Sequence, residues 1–487
     1  MTTIRDIEPT QLWTYFEQIC HIPRLSKKES GILDFIIRFA QANQLEYKKD
    51  EAGNIVIKKG ATPGFENRQT VILQSHMDMV GEREQEVVHD FEKDPIKPII
   101  EKDWIRAEGT TLGADDGIGM AAQFVVLSEK KIDHGPIECL FTVDEESGMT
   151  GASALQPGFI DGRILLNLDS EDEGELFIGC AGGIDTVGIF RGSTKRIKDS
   201  HSCYKVTVSG LNGGHSGDEI HKSPANAIRI LNRFLWNVSN EFNARINRLE
   251  GGSLRNSIPR EAYAVVAIPA KYVSGFESFY HIFSATLTKE LQCSEPQLSF
   301  DLQVVPTVDF VISRKLQNNL LHALYACPHG VITWSCKFSN LVETSTNLAM
   351  VRMTDKNEFQ VITSQRSSVD SAKKDIADRI RSIFLLAGAK TEHSNNYPGW
   401  TPDTGSKILG ITEAAYRRLF RKDPVIRVIH AGLECGLIRE KHPDLDMISF
   451  GPTIKGAHTP TERISIRSTQ RFWKLLLDIL KQIPENY

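Results

Sequence analysis

Five short clusters along the chain combine imidazole and carboxylate groups, the donor types that divalent-metal hydrolases use. The first is Ser75-His76-Met77-Asp78, directly after the apolar run Val71-Ile72-Leu73. Side chains two apart on extended backbone share a side, so Asp78 is placed to hold the His76 ring in one tautomer. Alone, this pattern more often marks a surface His beside an Asp. The second is Gly113-Ala114-Asp115-Asp116-Gly117 at a helix start, where carboxylates also serve as plain acidic caps. The adjoining Gly117-Ile118-Gly119-Met120-Ala121-Ala122 fits a loose dinucleotide fingerprint, but no buried strand leads into it, so a nicotinamide enzyme is a remote reading.

The third cluster, Asp144-Glu145-Glu146, follows the strand-like run at 137–143. On extended backbone its neighbouring carboxylates point to opposite sides, leaving one to bind a cation and the other to accept a proton. The fourth is Asp169, after Ile164-Leu165-Leu166-Asn167-Leu168, and the fifth is His458 in Gly456-Ala457-His458-Thr459-Pro460. Each taken singly reads as a solvated turn or loop. Together they suit a pair of divalent metals with open positions.

The elements that must position these residues alternate between two periodicities. Helices are expected at 10–20, 27–44 and 117–129, and strands at 54–58, 70–74, 137–143 and 164–167. The consecutive apolar residues of 71–73 and 164–166 read as central strands buried on both faces, with ligands at the strand ends. After Cys180-Ala181-Gly182-Gly183 alternating strands (204–208, 262–267, 358–363) mix with long helices (223–238, 275–290, 367–386), an α+β pattern with one sheet face covered. The buried-strand style returns at 425–429 and 447–450, and an amphipathic helix closes the chain at 468–483. The fold expected is α/β: a catalytic domain of 1–183 and 393–487, with a mixed sheet between helices, interrupted by an α+β domain at 184–392. Tyr397-Pro398-Gly399-Trp400 is a turn suited to re-entry.

Composition narrows the function class. At roughly 150 residues per domain, 487 residues allow two to four domains. With 57 Lys+Arg against 62 Asp+Glu, a net charge of −5 argues against nucleic acid as the main partner. Eight cysteines without a CxxC pair exclude a close-spaced zinc or redox motif and make a disulfide scaffold an unfavoured reading. The charged N-terminus does not read as a signal peptide, and polar residues break the longest charge-free stretch, so the expectation is a cytoplasmic protein without membrane association.

Longer stretches carry a resemblance: Val88-His89-Asp90-Phe91, Arg106-Ala107-Glu108-Gly109-Thr110-Thr111-Leu112-Gly113-Ala114-Asp115, Gly179-Cys180-Ala181-Gly182-Gly183-Ile184-Asp185, Gly213-Gly214-His215-Ser216-Gly217 and His430-Ala431-Gly432-Leu433-Glu434-Cys435-Gly436. With the five clusters, they resemble the co-catalytic di-zinc exopeptidase family of glutamate carboxypeptidases, succinyl-diaminopimelate desuccinylase, peptidase T and carnosinases. The resemblance implies that Asp115 bridges two divalent metals, with His76 and Asp169 on one and Glu146 and His458 on the other. It implies zinc, with cobalt and manganese as alternatives, Glu145 as general base, Asp78 orienting His76, and a cis peptide between Asp115 and Asp116.

It further implies that the inserted domain is a lid and association domain of a homodimer. There His215 contacts the substrate, from its own chain or a partner subunit, and Asn256 and Arg366 contact a substrate carboxylate or oxyanion. The activity implied is hydrolysis of small peptides, dipeptides including Xaa-His such as β-Ala-His. The alternatives are an aminoacylase, tripeptidase or amidohydrolase of the same fold and, remotely, a non-catalytic peptide-binding member. Ala457, Thr459 and Asp116 stand where relatives favour Pro, Ser and Asn, which bears on substrate preference more than on reaction class.

Overall fold

The computed structural model describes residues 3–197, 200–338, 340–485 and 487. The chain divides into two compact units: Met1–Gly179 with Trp400–Val428 and Leu433–Tyr487, and Cys180–Gly399 with Ile429–Gly432.

The first unit is built on an eight-stranded mixed sheet. Its order is Glu46–Lys49, Ile55–Lys59, Ile137–Thr142, Val71–His76, Ile164–Asn167, Asp446–Ser449, Glu175–Cys180 and Val425–Ile429. The four strands from Ile137–Thr142 to Asp446–Ser449 are parallel to one another. Every residue of Val71–His76, Ile137–Thr142 and Ile164–Asn167 is buried, as expected of strands covered on both faces. Val425–Ile429 departs from expectation: it lies at the sheet edge and Val425 is 47% exposed. An apolar run reports strand propensity, while its neighbours in the sheet decide burial.

The helix Ala114–Ser128 packs on the strand Val71–His76 and on the helix Thr10–Cys20. It contains Gly117 and Gly119, each costing about 1 kcal/mol relative to Ala in a helix. Packing explains both: a Cβ on Gly117 would lie 3.3 Å from the Phe16 ring and 2.9 Å from the Arg24 guanidinium, and one on Gly119 would lie 2.2 Å from Asp116 Oδ1. Farther along, Phe124 stacks on Phe141 of the sheet at 5.4 Å and meets Phe39 at 4.7 Å. These aromatics anchor the helix, each worth about 1.5–3 kcal/mol when buried.

The second unit holds a nine-stranded sheet, antiparallel at every registered pair. Its order is Ser299–Val305, His201–Ser209, Ala262–Pro269, Arg245–Gly251, Val342–Asp355, Glu358–Ser367, Gly182–Arg191 and Lys390–Tyr397, with Gly330–Trp334 also on Val342–Asp355. The helices Ala227–Glu241, Val273–Leu291, Arg314–Ala326 and Asp370–Leu386 contribute to one apolar core with these strands. Phe234 is its centre, with ring contacts to Phe276, Phe283 and Phe300. Asn226 caps the first of these helices by accepting from the N–H groups of Ile228 and Arg229.

The boundaries expected from sequence, 183/184 and 392/393, differ from the separation at Gly179/Cys180 and Gly399/Trp400. Strand pairing accounts for the shift, because Gly182–Arg191 and Lys390–Tyr397 pair with each other inside the second sheet. Ile429–Gly432 also joins this unit: the Ala181 N–H donates to the Ile429 and Ala431 carbonyls. Among the described residues, no helix is long and apolar enough to cross a membrane.

Candidate metal centre

Parallel register brings three of the clusters to one edge of the first sheet. His76 ends its strand opposite Thr142, and Gln74 lies opposite Asn167. The next few residues of each strand therefore leave the sheet side by side: Asp78 after His76, Glu145 and Glu146 after Thr142, and Asp169 after Asn167. This is where ligands collect in open α/β sheets. Asp115 is delivered at the start of the helix Ala114–Ser128, and His458 by the loop between Ile454–Lys455 and Arg463–Ser465.

Asp115 is the centre of the cluster. Its Oδ1 lies 3.0 Å from His76 Nε2, and its Oδ2 lies 3.2 Å from His458 Nε2. His76 Nε2 is also 3.3 Å from Asp169 Oδ1, and His458 Nε2 is 2.9 Å from Glu146 Oε2. Thus His76, Asp115 and Asp169 form one potential donor group and Asp115, Glu146 and His458 another, sharing Asp115; His76 also groups with Glu145 and Glu146. Two ligands about 2.0–2.1 Å from one zinc ion at a tetrahedral angle stand about 3.3 Å apart, so these separations fit the donor set to the metal. Glu146 Oε1 is buried without a hydrogen-bond partner, a free donor atom inside the same cluster.

Asp78 does more than face His76. Its Oδ1 is 3.4 Å from His76 Nδ1, which lies closer, at 3.1 Å, to the Asp78 carbonyl. Asp78 Oδ1 also accepts from the Glu145 N–H at 3.0 Å, while Oδ2 accepts from the Glu146 N–H at 3.1 Å and the Ser26 hydroxyl at 2.8 Å. One fully buried carboxylate therefore ties the His76 turn to the acidic pair. The extended backbone expected for Asp144-Glu145-Glu146 is not present: Asp144 has φ 54° and the short helix Glu145–Gly148 begins at once. Turning the chain aims both N–H groups at Asp78, which an extended strand would not do.

Electrostatics follow from this crowding. Burial alone would lower His76, but Asp169, Asp115 and Asp78 outweigh it and hold the imidazole well above its usual value. Hydrogen bonds to Asp115 and Glu146 raise His458 to about 11. Burial opposes ionisation of Asp115, yet both imidazoles pull it well below the carboxylate range. Asp78 is likewise held at about 2 by His76 and the N–H groups, against the effect of burial. Glu145 goes the other way, raised well above the usual value by burial and by Asp169, Glu146 and Glu434. The cluster thus retains protons where a cation would serve the same carboxylates.

The Asp115–Asp116 peptide is cis. Burial and the adjacent Asp115 raise the Asp116 carboxyl well above the ordinary range. Its neutral form is close in shape to Asn.

The remaining residues singled out from sequence, His215, Asn256 and Arg366, belong to the second unit. Gly213 and Gly214 adopt positive φ (67° and 133°), consistent with the tight turn that Gly-Gly allows. His215 Nδ1 accepts from the Asp218 N–H at 3.2 Å, and Ser216 N–H donates to the Asn256 carbonyl at 2.8 Å. Arg366 is buried, with Nη1 donating to Tyr397 Oη at 3.2 Å and Nε without a partner.

Several further residues lie beside these sites, His430 and Glu434 within the 430–436 stretch that carries the resemblance and Arg24 and Glu462 outside any such stretch. His430 bonds Ser345 Oγ at 2.7 Å and is lowered to about 3 by burial and Arg366. In the first unit Glu434 is fully buried, accepting from Gln74 and Thr142 beneath the strand ends. Arg24 and Glu462 are also buried beside the Asp115 loop. Of the latter two, Glu462 lies four residues past His458.

The model of Peptidase family M20/M25/M40 matches residues 72–482. The cytosol non-specific dipeptidase of Escherichia coli (strain K12) is 42% identical over 484 residues, 99% of this chain and 100% of that protein. The crystal structure of aminoacylhistidine dipeptidase from Vibrio alginolyticus superposes with a TM-score of 0.90 at 42% identity, covering 100% of this chain and 99% of that one. Aminopeptidase PepT from Bacillus cereus shares the fold at a TM-score of 0.58 and 19% identity, over 98% and 99% of the two chains. With its donor groups at the strand ends and a family match over most of its length, the chain belongs to Peptidase family M20/M25/M40.

Proposed function

We propose that the chain is a metal-dependent dipeptidase that cleaves dipeptides, Xaa-His dipeptides such as β-Ala-His among them. The observation that carries this reading is the Asp115 carboxylate, whose two oxygens meet two different imidazoles beside Glu146, with Glu145 also beside His76. The names of the Escherichia coli and Vibrio alginolyticus relatives support the substrate class.

In this reading Asp115 would be shared by two divalent ions, His76 and Asp169 would complete the donors of one, and Glu146 and His458 those of the other. When bound, the ions, zinc here with cobalt or manganese accepted by the same donors, let water ionise near neutral pH and polarise the peptide carbonyl. Glu145 takes the proton from the water as the water oxygen adds to the peptide carbonyl carbon, and passes it to the amine nitrogen as the C–N bond breaks. Burial has already raised its proton affinity, which matches it to that task. Asp78 keeps His76 and the turn of Glu145 and Glu146 in place. His215, Asn256 and Arg366 orient the substrate and receive its carboxylate or oxyanion. The second unit is the lid and association domain of a cytosolic homodimer, a state that sedimentation of the purified chain tests.

Glu145→Ala is expected to keep its metal by elemental analysis and to lose about 10²–10⁴-fold in kcat. The assay compares β-Ala-His, Leu-Gly and N-acetyl amino acids. Normal dipeptide turnover by Glu145→Ala would overturn the assignment of the base. Wild-type cleavage of N-acetyl amino acids in place of dipeptides would overturn the substrate class.

A further inference from the structure

Glu462 is 2% exposed, and its carboxylate accepts from four consecutive backbone N–H groups. Oε2 takes Leu112 at 2.7 Å and Gly113 at 3.0 Å, and Oε1 takes Ala114 at 2.7 Å and Asp115 at 3.4 Å. These N–H groups belong to the turn that leads into the helix Ala114–Ser128, ahead of the non-helical Asp115 and Asp116, so a buried anion satisfies donors that the helix itself cannot.

A capping role alone does not explain the connections on either side. Glu462 closes the loop that carries His458, and the strand Arg463–Ser465 that follows pairs with Trp104–Ala107, the strand leading to Asp115. From the opposite direction the buried Arg24 donates through Nη1 to the Met77 and Asp78 carbonyls and through Nη2 to the Gly113 carbonyl. The residue Gly113 is therefore gripped at both polar groups, its N–H by Glu462 and its C=O by Arg24. Only glycine fits there: φ is 69°, and a Cβ would lie 2.6 Å from Arg24 Nη2 and 2.8 Å from Met79 Sδ. Through these two side chains, the loops bearing His76, Asp115 and His458 share one buried frame.

We infer that Glu462, acting with Arg24, is a positioning residue for the metal pair: it sets Asp115 against His458 and thereby the affinity of the site for divalent cations. The inference rests on the metal-dependent reading above. Glu462→Gln keeps the shape but offers one acceptor oxygen and one NH₂ to four N–H donors, so two of the four lose their acceptor. Changes to groups that orient metal ligands typically cost 10–100-fold in affinity, and that range is expected here.

The test titrates the metal-free full-length wild type and Glu462→Gln with Co²⁺ against a chromophoric chelator, at a temperature where far-UV circular dichroism shows both folded. The expected result is a Co²⁺ Kd raised about 10–100-fold with an altered visible d–d spectrum. A purely structural cap would lower the melting temperature of the apoprotein and leave Kd and spectrum unchanged, and that outcome overturns the inference. If Glu462→Gln does not fold, Glu462→Asp, which keeps the charge with a shorter reach, must show weakened binding. Wild-type affinity in that variant is equally fatal. Absence of Co²⁺ binding by the wild type would instead overturn the reading of the metal centre itself.

Discussion

Replacing Asp78 with Asn isolates what a single buried carboxylate contributes to the proposed centre. The side chain accepts on Oδ1 from Glu145 N–H and on Oδ2 from Glu146 N–H and the Ser26 hydroxyl, with His76 Nδ1 at 3.4 Å. Asn presents one oxygen and one NH₂, so in either orientation one of the two backbone N–H groups faces another donor. Losing one hydrogen bond to a charged group costs about 1.5–3 kcal/mol. At about 1.4 kcal/mol per factor of ten, kcat/KM should fall roughly 10- to 150-fold. His76 and the same hydrogen bonds hold the Asp78 carboxyl at about 2 against a usual 3.8, in spite of its burial. That depression corresponds to on the order of 2 kcal/mol. The sign is that of a lowered acid: the stabilisation is present above about pH 3.8 and is lost as pH falls through about 2. The assay is β-Ala-His hydrolysis at saturating metal, with metal content measured in parallel. An Asp78→Asn enzyme within twofold of wild type, with its metal intact, would refute the argument that this carboxylate organises His76 and the Glu145 turn.

Two further predictions address the charge and the packing of the centre. Because nearby carboxylates hold His458 at about 11 and His76 well above its usual value, both imidazoles are protonated in the metal-free protein near neutral pH. Metal binding must then release protons and weaken as pH falls, which calorimetric titration with Zn²⁺ in buffers of different ionisation enthalpy reads directly; buffer-independent heats would contradict it. Gly119→Ala should destabilise the apoprotein although Ala is the better helix former, because its Cβ would lie 2.2 Å from Asp116 Oδ1. Overpacking of that kind costs about 1–3 kcal/mol, so the thermal midpoint should drop, and a midpoint at or above wild type would show that Asp116 is free to move.

Much of the fold was legible in local pattern. The helix at Thr10–Cys20 and the strand at Ile164–Asn167 lie where the periodicity set them, and the runs in Val71–His76 and Ile164–Asn167 are buried on both faces. The errors have physical causes. Val425–Ile429 has four apolar residues around Arg427 and no strand beyond it, and the exposed Arg427, paired with Glu175, is the one local mark of an edge. The unit boundaries moved to Gly179/Cys180 and Gly399/Trp400 because cross-strand pairing joins Gly182–Arg191 to Lys390–Tyr397. Asp144 turns the chain where extension was expected, since the hydrogen bonds to Asp78 reward a helical turn more than a longer strand.

By itself the sequence determined the kinds of donor available and their attachment points: imidazole and carboxylate at the ends of apolar strands and at one helix start. Those are local properties, carried by side-chain chemistry and by the periodicities of strand and helix. Tertiary structure alone decided that the two oxygens of Asp115 meet His76 from one side and His458, 343 residues away in sequence, from the other. It also recruited Arg24 and Glu462, which belong to no motif, because buried backbone N–H and C=O groups must find partners wherever the folded chain brings them within reach.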